Sequence, residues 1–185
     1  MRIISGSHKS KRITAPKKLP VRPTTDMAKE GLFNILNNQY YFGDISILDL
    51  FSGTGNISYE FASRGSKQIV AVDADYGCTR FIDQTSQALG FSISVIKSDV
   101  FTFLEKTPQK FDVIFADPPY DLSESDFIKI SELVLEKELL LEDGVLIIEH
   151  SKHTDLSNAQ NFVKSRKYGG SVFSFFETPD NSETT

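Results

Sequence analysis

The amino-acid sequence predicts an α/β fold built on a mostly parallel sheet. Short apolar runs recur at Ile45–Leu50, Gln68–Val72, Ser92–Ile96, Phe111–Ala116 and Gly144–Glu149. Polar, helix-like segments separate them, at about 56–64, 76–89, 100–106 and 124–138. The near-continuous apolar character of the runs fits strands covered on both faces, which strand–helix alternation also requires.

The elements follow in order. Arg2-Ile3-Ile4-Ser5 and Lys11-Arg12-Ile13-Thr14 are β-prone runs around Gly6-Ser7, and they predict a small hairpin. Pro16, Pro20 and Pro23 keep the next stretch extended. Thr24 or Thr25 can cap a helix that runs to about Asn38, with Leu32, Phe33, Ile35 and Leu36 mainly on one face. The strand–helix alternation then begins. At the far end, Asn161–Tyr168, Gly169-Gly170 and Ser171–Glu177 read as a hairpin, which needs an antiparallel strand. Phe173, Phe175 and Phe176 are expected to pack in the sheet, and Glu142-Asp143-Gly144 to form a turn before a strand. The resulting division is a basic hairpin arm (1–23), an α/β domain (24–178) and a frayed tail (179–185).

The chain has 185 residues, enough for one core without a disulfide or metal staple. A single cysteine, Cys78, excludes an internal disulfide and is expected to be a packing residue in a reducing, cytoplasmic setting. No signal peptide or membrane span is expected. His8, His150 and His153 do not form a metal pattern with the cysteine, so no metal is expected; His8 belongs with the arm and His150 is expected to be solvated. The net charge of −5 hides an asymmetry: residues 1–29 hold eight Lys/Arg against one acid, and the rest of the chain holds twelve against 24. A basic segment on an acidic body suits a polyanionic partner, with Arg2, Lys9, Lys11, Arg12 and Arg22 as candidate contacts.

Ligands of open α/β sheets bind at the carboxyl ends of strands. After the first run comes Asp49-Leu50-Phe51-Ser52-Gly53-Thr54-Gly55-Asn56. Gly53 and Gly55 let the backbone turn tightly, and Asn56 can open a helix with free N–H groups. Ser58 occupies the third glycine position of a dinucleotide fingerprint, which counts against a nicotinamide cofactor. Read alone, the glycines could equally form a plain strand-to-helix turn. Asp73, beside Ala74 and 24 residues after Asp49, can accept two ribose hydroxyls or be an ordinary loop acid. Asp99, before Val100, can accept from an adenine amino group or cap a helix, or both.

Asp117-Pro118-Pro119-Tyr120, after the fourth run, is the most specific signal. The prolines fix an extended turn and leave carbonyls free, the carboxylate accepts as well, and Tyr120 offers a stacking face. An exocyclic base amino group is a poor nucleophile because its lone pair is delocalised into the ring. Acceptors holding its hydrogens favour a tetrahedral nitrogen that can attack a sulfonium methyl in line. No covalent intermediate is needed.

From these motifs the chain resembles the class I methyltransferases, and more closely the RsmD family of small-subunit rRNA guanine-2-amino methyltransferases. The resemblance runs through MRIISGSHKSKRI, Arg22-Pro23-Thr24-Thr25-Asp26, LDLFSGTGN, VDAD, SDV, FADPPY and KYGGSVFSFFE. It implies a Rossmann-like, seven-stranded sheet with the last strand antiparallel. It implies S-adenosylmethionine as cofactor, at Asp49, Phe51, Ser52, Gly53, Gly55, Asn56, Asp73, Ala74, Asp99 and Val100, and transfer at Asp117, Pro118, Pro119 and Tyr120. It also implies that the arm and Thr24 face RNA or the active site, that the partner is small-subunit rRNA or an assembling subunit, and that the enzyme is a monomer. Met27 and Lys29 stand where the family commonly has arginine. Adenine-6-amino methylation uses the same four-residue motif and is the alternative. Protein-amide methylation more often has Asn in place of Asp117, and an RNA-binding module without catalysis would not need the motif.

Overall fold

Alternation along the apolar runs sends successive side chains to opposite faces, and two layers of helices cover them. The computed structural model describes residues 1–19 and 24–178. Arg22 and the 179–185 tail lie outside the described residues. Among the described residues the chain runs α1 (Asp26–Asn37), β1 (Ser46–Leu50), α2 (Asn56–Ser63), β2 (Gln68–Asp73), α3 (Tyr76–Leu89), β3 (Ile93–Lys97), α4 (Val100–Lys106), β4 (Phe111–Ala116), α5 (Glu124–Glu136), β5 (Leu140–Ser151), β6 (Phe162–Tyr168) and β7 (Ser171–Glu177).

The strands form one sheet in the order β3-β2-β1-β4-β5-β7-β6. The β1, β2, β3, β4 and β5 pairings are parallel, and β7 runs antiparallel to both β5 and β6. This is the Rossmann-like sheet with its last strand reversed. The order switches direction between β1 and β4, so a crevice opens outside their carboxyl ends.

On one face α1 and α2 bury Leu32, Phe33 and Phe61 against Ile47, Val113 and Ile147. On the other, α4 and α5 bury Leu104, Phe127 and Ile130 against Leu48, Ile114 and Leu146. Thr25, not Thr24, caps α1: its hydroxyl accepts from the Ala28 N–H at 3.2 Å. Thr24 is therefore available for another contact.

Two expectations need correction. The strand β5 begins at Leu140, so Glu142-Asp143-Gly144 lies inside it as an irregularity, with Asp143 at φ +58°. His150 is buried, not solvated: its Nε2 and the Ser174 hydroxyl are 2.8 Å apart, and its Nδ1 lies 2.8 Å from the Ser151 carbonyl. At the N-terminus the two β-prone runs meet antiparallel through an Arg2–Arg12 bridge, with the Ile3 N–H donating to the Lys11 carbonyl and the Ile13 N–H to the Met1 carbonyl, both at 3.0 Å.

The N-terminal residues are tied to the body. Ile3 and Ile13 are buried in a cluster with Tyr59, Ala71 and Ile82. The Ile4 and Ser5 N–H groups donate to the Glu60 carboxylate at 2.8 and 3.0 Å. Gly6, at φ +86°, passes so close to α2 that a Cβ would sit 1.9 Å from the Ser63 carbonyl oxygen. Lys29 is fully buried beneath this segment, so it does not face outward as a surface contact would. Its ammonium donates to the Arg2 carbonyl at 2.6 Å and to Asn56 Oδ1 at 2.8 Å, and faces Glu60 at 3.4 Å. Burial lowers its pKa, which Glu60 and Asp26 partly oppose.

Candidate active site

The loops at the carboxyl ends of β1, β2, β3 and β4 enclose a single cleft of about 630 Å³. That is within the range of pockets that hold small molecules and cofactors. Its two walls are built differently.

The first wall starts at the β1–α2 turn. Phe51 (φ +54°), Gly53 (φ +53°) and Gly55 (φ +83°) all take left-handed backbone conformations there. At Gly55 a Cβ would lie 2.8 Å from the Tyr59 ring, so the position demands glycine twice over. Phe51, Ser52, Gly53 and Asn56 line the cleft; Gly55 shapes the turn from behind. The Asp73 carboxylate braces this turn: one oxygen accepts from the Gly53 N–H at 2.8 Å, the other from the Asp75 N–H at 2.8 Å. Each oxygen keeps a second lone pair. Ala74 lies beside it on the cleft. Asp99, exposed, caps α4 by accepting from the Thr102 N–H at 2.9 Å, and with Val100 it also reaches the cleft.

The second wall is Asp117-Pro118-Pro119-Tyr120 with Thr24. Tyr120 is 54% exposed, so its ring stands at the mouth. Asp117 is half-buried, while Pro118 is buried against the sheet.

Three acids gather on one face of the sheet, Asp49 and Asp117 lining the cleft and Glu149 behind it. Asp49 in β1 is buried, and its carboxylate accepts from the Ser58 hydroxyl at 2.6 Å and the Ser58 N–H at 3.1 Å. Burial still raises its pKa to about 7, with a smaller push from Asp73. Asp117 follows Ala116, which pairs with Ile148; the next residue along β5 is Glu149, so the two acids are neighbours. Desolvation, then Glu149, then Asp49 raise the Asp117 pKa well above the carboxylate range. Glu149 is also raised by burial, against hydrogen bonds from Thr24 and Ser171. The Thr24 hydroxyl donates to Glu149 Oε2 at 2.6 Å, and the Thr24 carbonyl accepts from Asn56 Nδ2 at 2.9 Å.

Glu149 is absent from the sequence-based candidates. Its signal was present: it is a charged residue closing an apolar strand, in phase with Val145 and Ile147 on the α1 face. Cys78 borders the cleft but is buried, with its thiol pushed up to about 12 by desolvation. No metal-binding cluster of acids, His and Cys occurs among the described residues.

Arg2, Lys9, Lys11 and Arg12 are exposed. Arg2 pairs with Asp26 at 3.1 Å, at the start of α1 and two residues from Thr24. This places Arg2 and its bridged partner Arg12 beside the start of α1, while Ser7 and His8, next to Lys9, are tied to Ser63 at the far end of α2. No helix among the described residues is long and apolar enough to cross a membrane.

Residues 1–177 match a family model described as conserved hypothetical protein 95. The chain is 32% identical to the putative rRNA methyltransferase YlbH of Bacillus subtilis, over 90% of this chain and 92% of that one. It is 28% identical to ribosomal RNA small subunit methyltransferase D of Haemophilus influenzae, over 95% and 91% of the two chains. A solved structure of a putative methyltransferase, yhhF from Escherichia coli, superposes with a TM-score of 0.82 at 20% identity, covering 95% of this chain and 96% of that one. The chain belongs to the family of that model, the RsmD family.

Proposed function

We propose that the protein transfers a methyl group from S-adenosylmethionine to the exocyclic 2-amino group of a guanine in small-subunit rRNA, by direct in-line displacement. Family membership supports the coarser statement, an S-adenosylmethionine-dependent rRNA methyltransferase. One observation carries transfer to an amino group, that the glycine turn and Asp117-Pro118-Pro119-Tyr120 open into the same cleft; the choice of guanine rests on the resemblance to the RsmD family.

The residues present fit the cofactor. Asp73 retains acceptor capacity for ribose hydroxyls after bracing Gly53 and Asp75. Asp99 and Val100 lie where an adenine would be read, and the acids lining the cleft and behind it suit a ligand bearing positive charge. When bound, S-adenosylmethionine supplies an electrophilic methyl on a sulfonium. The chain's own part is to hold the nucleophile. The Asp117 carboxylate and the carbonyls of Asp117 and Pro118 accept the amino hydrogens. Charge developing on the nitrogen is then stabilised by oxygens already in place, and the proton that the nitrogen sheds as the methyl–sulfur bond breaks passes to the Asp117 carboxylate and on to water. Tyr120 offers its face to a base drawn out of its stack. The exposed Lys9, Lys11 and Arg12 grip phosphates, which makes binding salt-dependent.

Mass analysis of small-subunit rRNA from cells lacking the protein tests this reading. One guanine should lose one methyl group, and purified protein with S-adenosylmethionine should restore it. Full methylation of that RNA without the protein overturns the rRNA reading; a missing methyl on an adenine amino group favours the alternative base.

A further inference from the structure

Thr24 is clamped at both ends. Its carbonyl accepts from Asn56 Nδ2 at 2.9 Å and its hydroxyl donates to Glu149 at 2.6 Å, yet the residue borders the cleft beside Asp117. A hydroxyl has one proton and two lone pairs. Because the proton is committed to Glu149, what remains for the cleft is lone pair. Glu149 itself does not line the cleft; it is 2% exposed behind Thr24 and next to Asp117. Ser171 lies close enough to act on the same carboxylate, opposing the rise that burial gives its pKa.

The cleft wall around the transfer point is therefore made of acceptors: the Asp117 carboxylate, the carbonyls at Asp117 and Pro118, and the Thr24 oxygen. Purine edges differ against such a wall. Guanine presents a ring N–H next to its 2-amino group, which gives a row of donors. Adenine presents a bare ring nitrogen next to its 6-amino group, and that lone pair would face another lone pair. We propose that Glu149, by taking the proton of Thr24 from behind, makes the Thr24 hydroxyl an acceptor that reads the ring N–H adjacent to the reacting amino group, and so selects guanine over adenine. Glu149 is thus a positioning residue acting through Thr24, and the inference rests on the guanine reading above. Selection works by attraction for the right edge and by repulsion of the wrong one.

The test compares guanine with 2-aminopurine at the modified position of small-subunit rRNA that lacks the methyl group. The analogue keeps the 2-amino group but has no ring N–H. Wild-type protein is expected to prefer guanine in kcat/KM. Thr24→Val removes the acceptor at constant size, and Glu149→Gln sets an amide N–H against one of the two hydroxyls. Each is expected to reduce the preference by about tenfold, the scale of losing one hydrogen bond in a desolvated site. Thr24→Ser is expected to retain it. Stabilisation by S-adenosylmethionine checks that each variant is folded. Should Glu149→Gln not fold, the Val–Ser contrast at Thr24 still shows whether that hydroxyl reads the edge, and Glu149→Asp, which keeps the acceptor but shortens its reach, replaces it. An unchanged preference in Thr24→Val, or in a folded Glu149 variant, overturns the inference. Failure of wild-type protein to methylate the guanine amino group at all appears before any ratio is taken, and overturns the underlying reading instead.

Discussion

The two walls of the cleft use acids in opposite ways. On the side proposed to hold the cofactor, Asp73 commits both oxygens and Asp99 one to backbone N–H groups of neighbouring turns, which stiffens the loops. On the acceptor side, Asp117 and Glu149 are set beside each other behind a proline-fixed turn, and burial holds both above the usual carboxylate range. One wall is a turn stiffened by its acids. The other sets two buried acids side by side at the place proposed for the reacting nitrogen. Removing an acid should therefore cost binding or stability on the first wall and rate on the second.

Asp117→Ala breaks the comparison most sharply if it fails. Losing a positioned acceptor at the reacting atom is expected to slow transfer by about a thousandfold, by analogy with oxyanion-site deletions. Stabilisation by S-adenosylmethionine, read as a rise in Tm, should persist. Loss of both would mean that Asp117 belongs to the cofactor wall or to the core.

The raised acids give a pH dependence with a defined sign. Asp49, Asp117 and Glu149 bind protons more tightly folded than unfolded, so folding takes up protons between the two pKa values. The contribution of these three acids to stability without cofactor is whole below about pH 4 and is lost as pH rises towards 8, whereas buried His150, whose pKa is lowered by desolvation, favours the folded state above its ordinary value and opposes it in acid. For Asp49 alone, a rise from 3.8 to about 7 corresponds to a loss on the order of 4 kcal/mol across that span. Transfer should move the other way, rising with pH as the Asp117 carboxylate ionises. Tm and single-turnover rates measured from pH 5 to 8 check both; parallel trends would contradict the division between the walls.

Gly55→Ala probes the cofactor wall. At φ +83°, with the Tyr59 ring 2.8 Å from a would-be Cβ, the substitution strains the turn. A stability loss of about 1–3 kcal/mol is expected, with weaker cofactor binding, in thermal melts with and without S-adenosylmethionine.

Legibility in the sequence follows the same division. That the glycine turn, Asp73 and Asp99 border one cleft was legible because their devices are local: glycine after a strand, an acid at the next strand end, an acid before a helix. Asp117-Pro118-Pro119-Tyr120 was readable because proline constrains its own backbone. Glu149, Lys29 and His150 were not, since their roles come from register and burial. Glu149 matters because β5 lies beside β4 with Ala116 opposite Ile148. Lys29 turned inward because Gly6 lets the N-terminal segment lie against α2, which buries Glu60 as its partner. The alternation that placed Val145 and Ile147 in the core would have put Glu149 on the Asp117 face had it been followed one step further.

The smallest effect sharpens the cofactor wall itself. Asp99 is both the cap of α4 and an exposed acid on the cleft, so deleting it mixes two losses. Asp99→Asn separates them, because its amide oxygen can still accept from the Thr102 N–H while the charge is gone. Asp99→Ala should lower stability without cofactor by about 1 kcal/mol, the usual worth of a helix cap, and Asp99→Asn by much less. If the cleft-facing oxygen also holds the adenine amino group, the asparagine variant, which keeps the cap but turns its amide NH2 to the cleft, should lose cofactor stabilisation several-fold, as fully as the alanine variant. Unchanged cofactor stabilisation in the asparagine variant would leave Asp99 as a cap and nothing more, and the cofactor wall would then rest on Asp73 and the glycine turn.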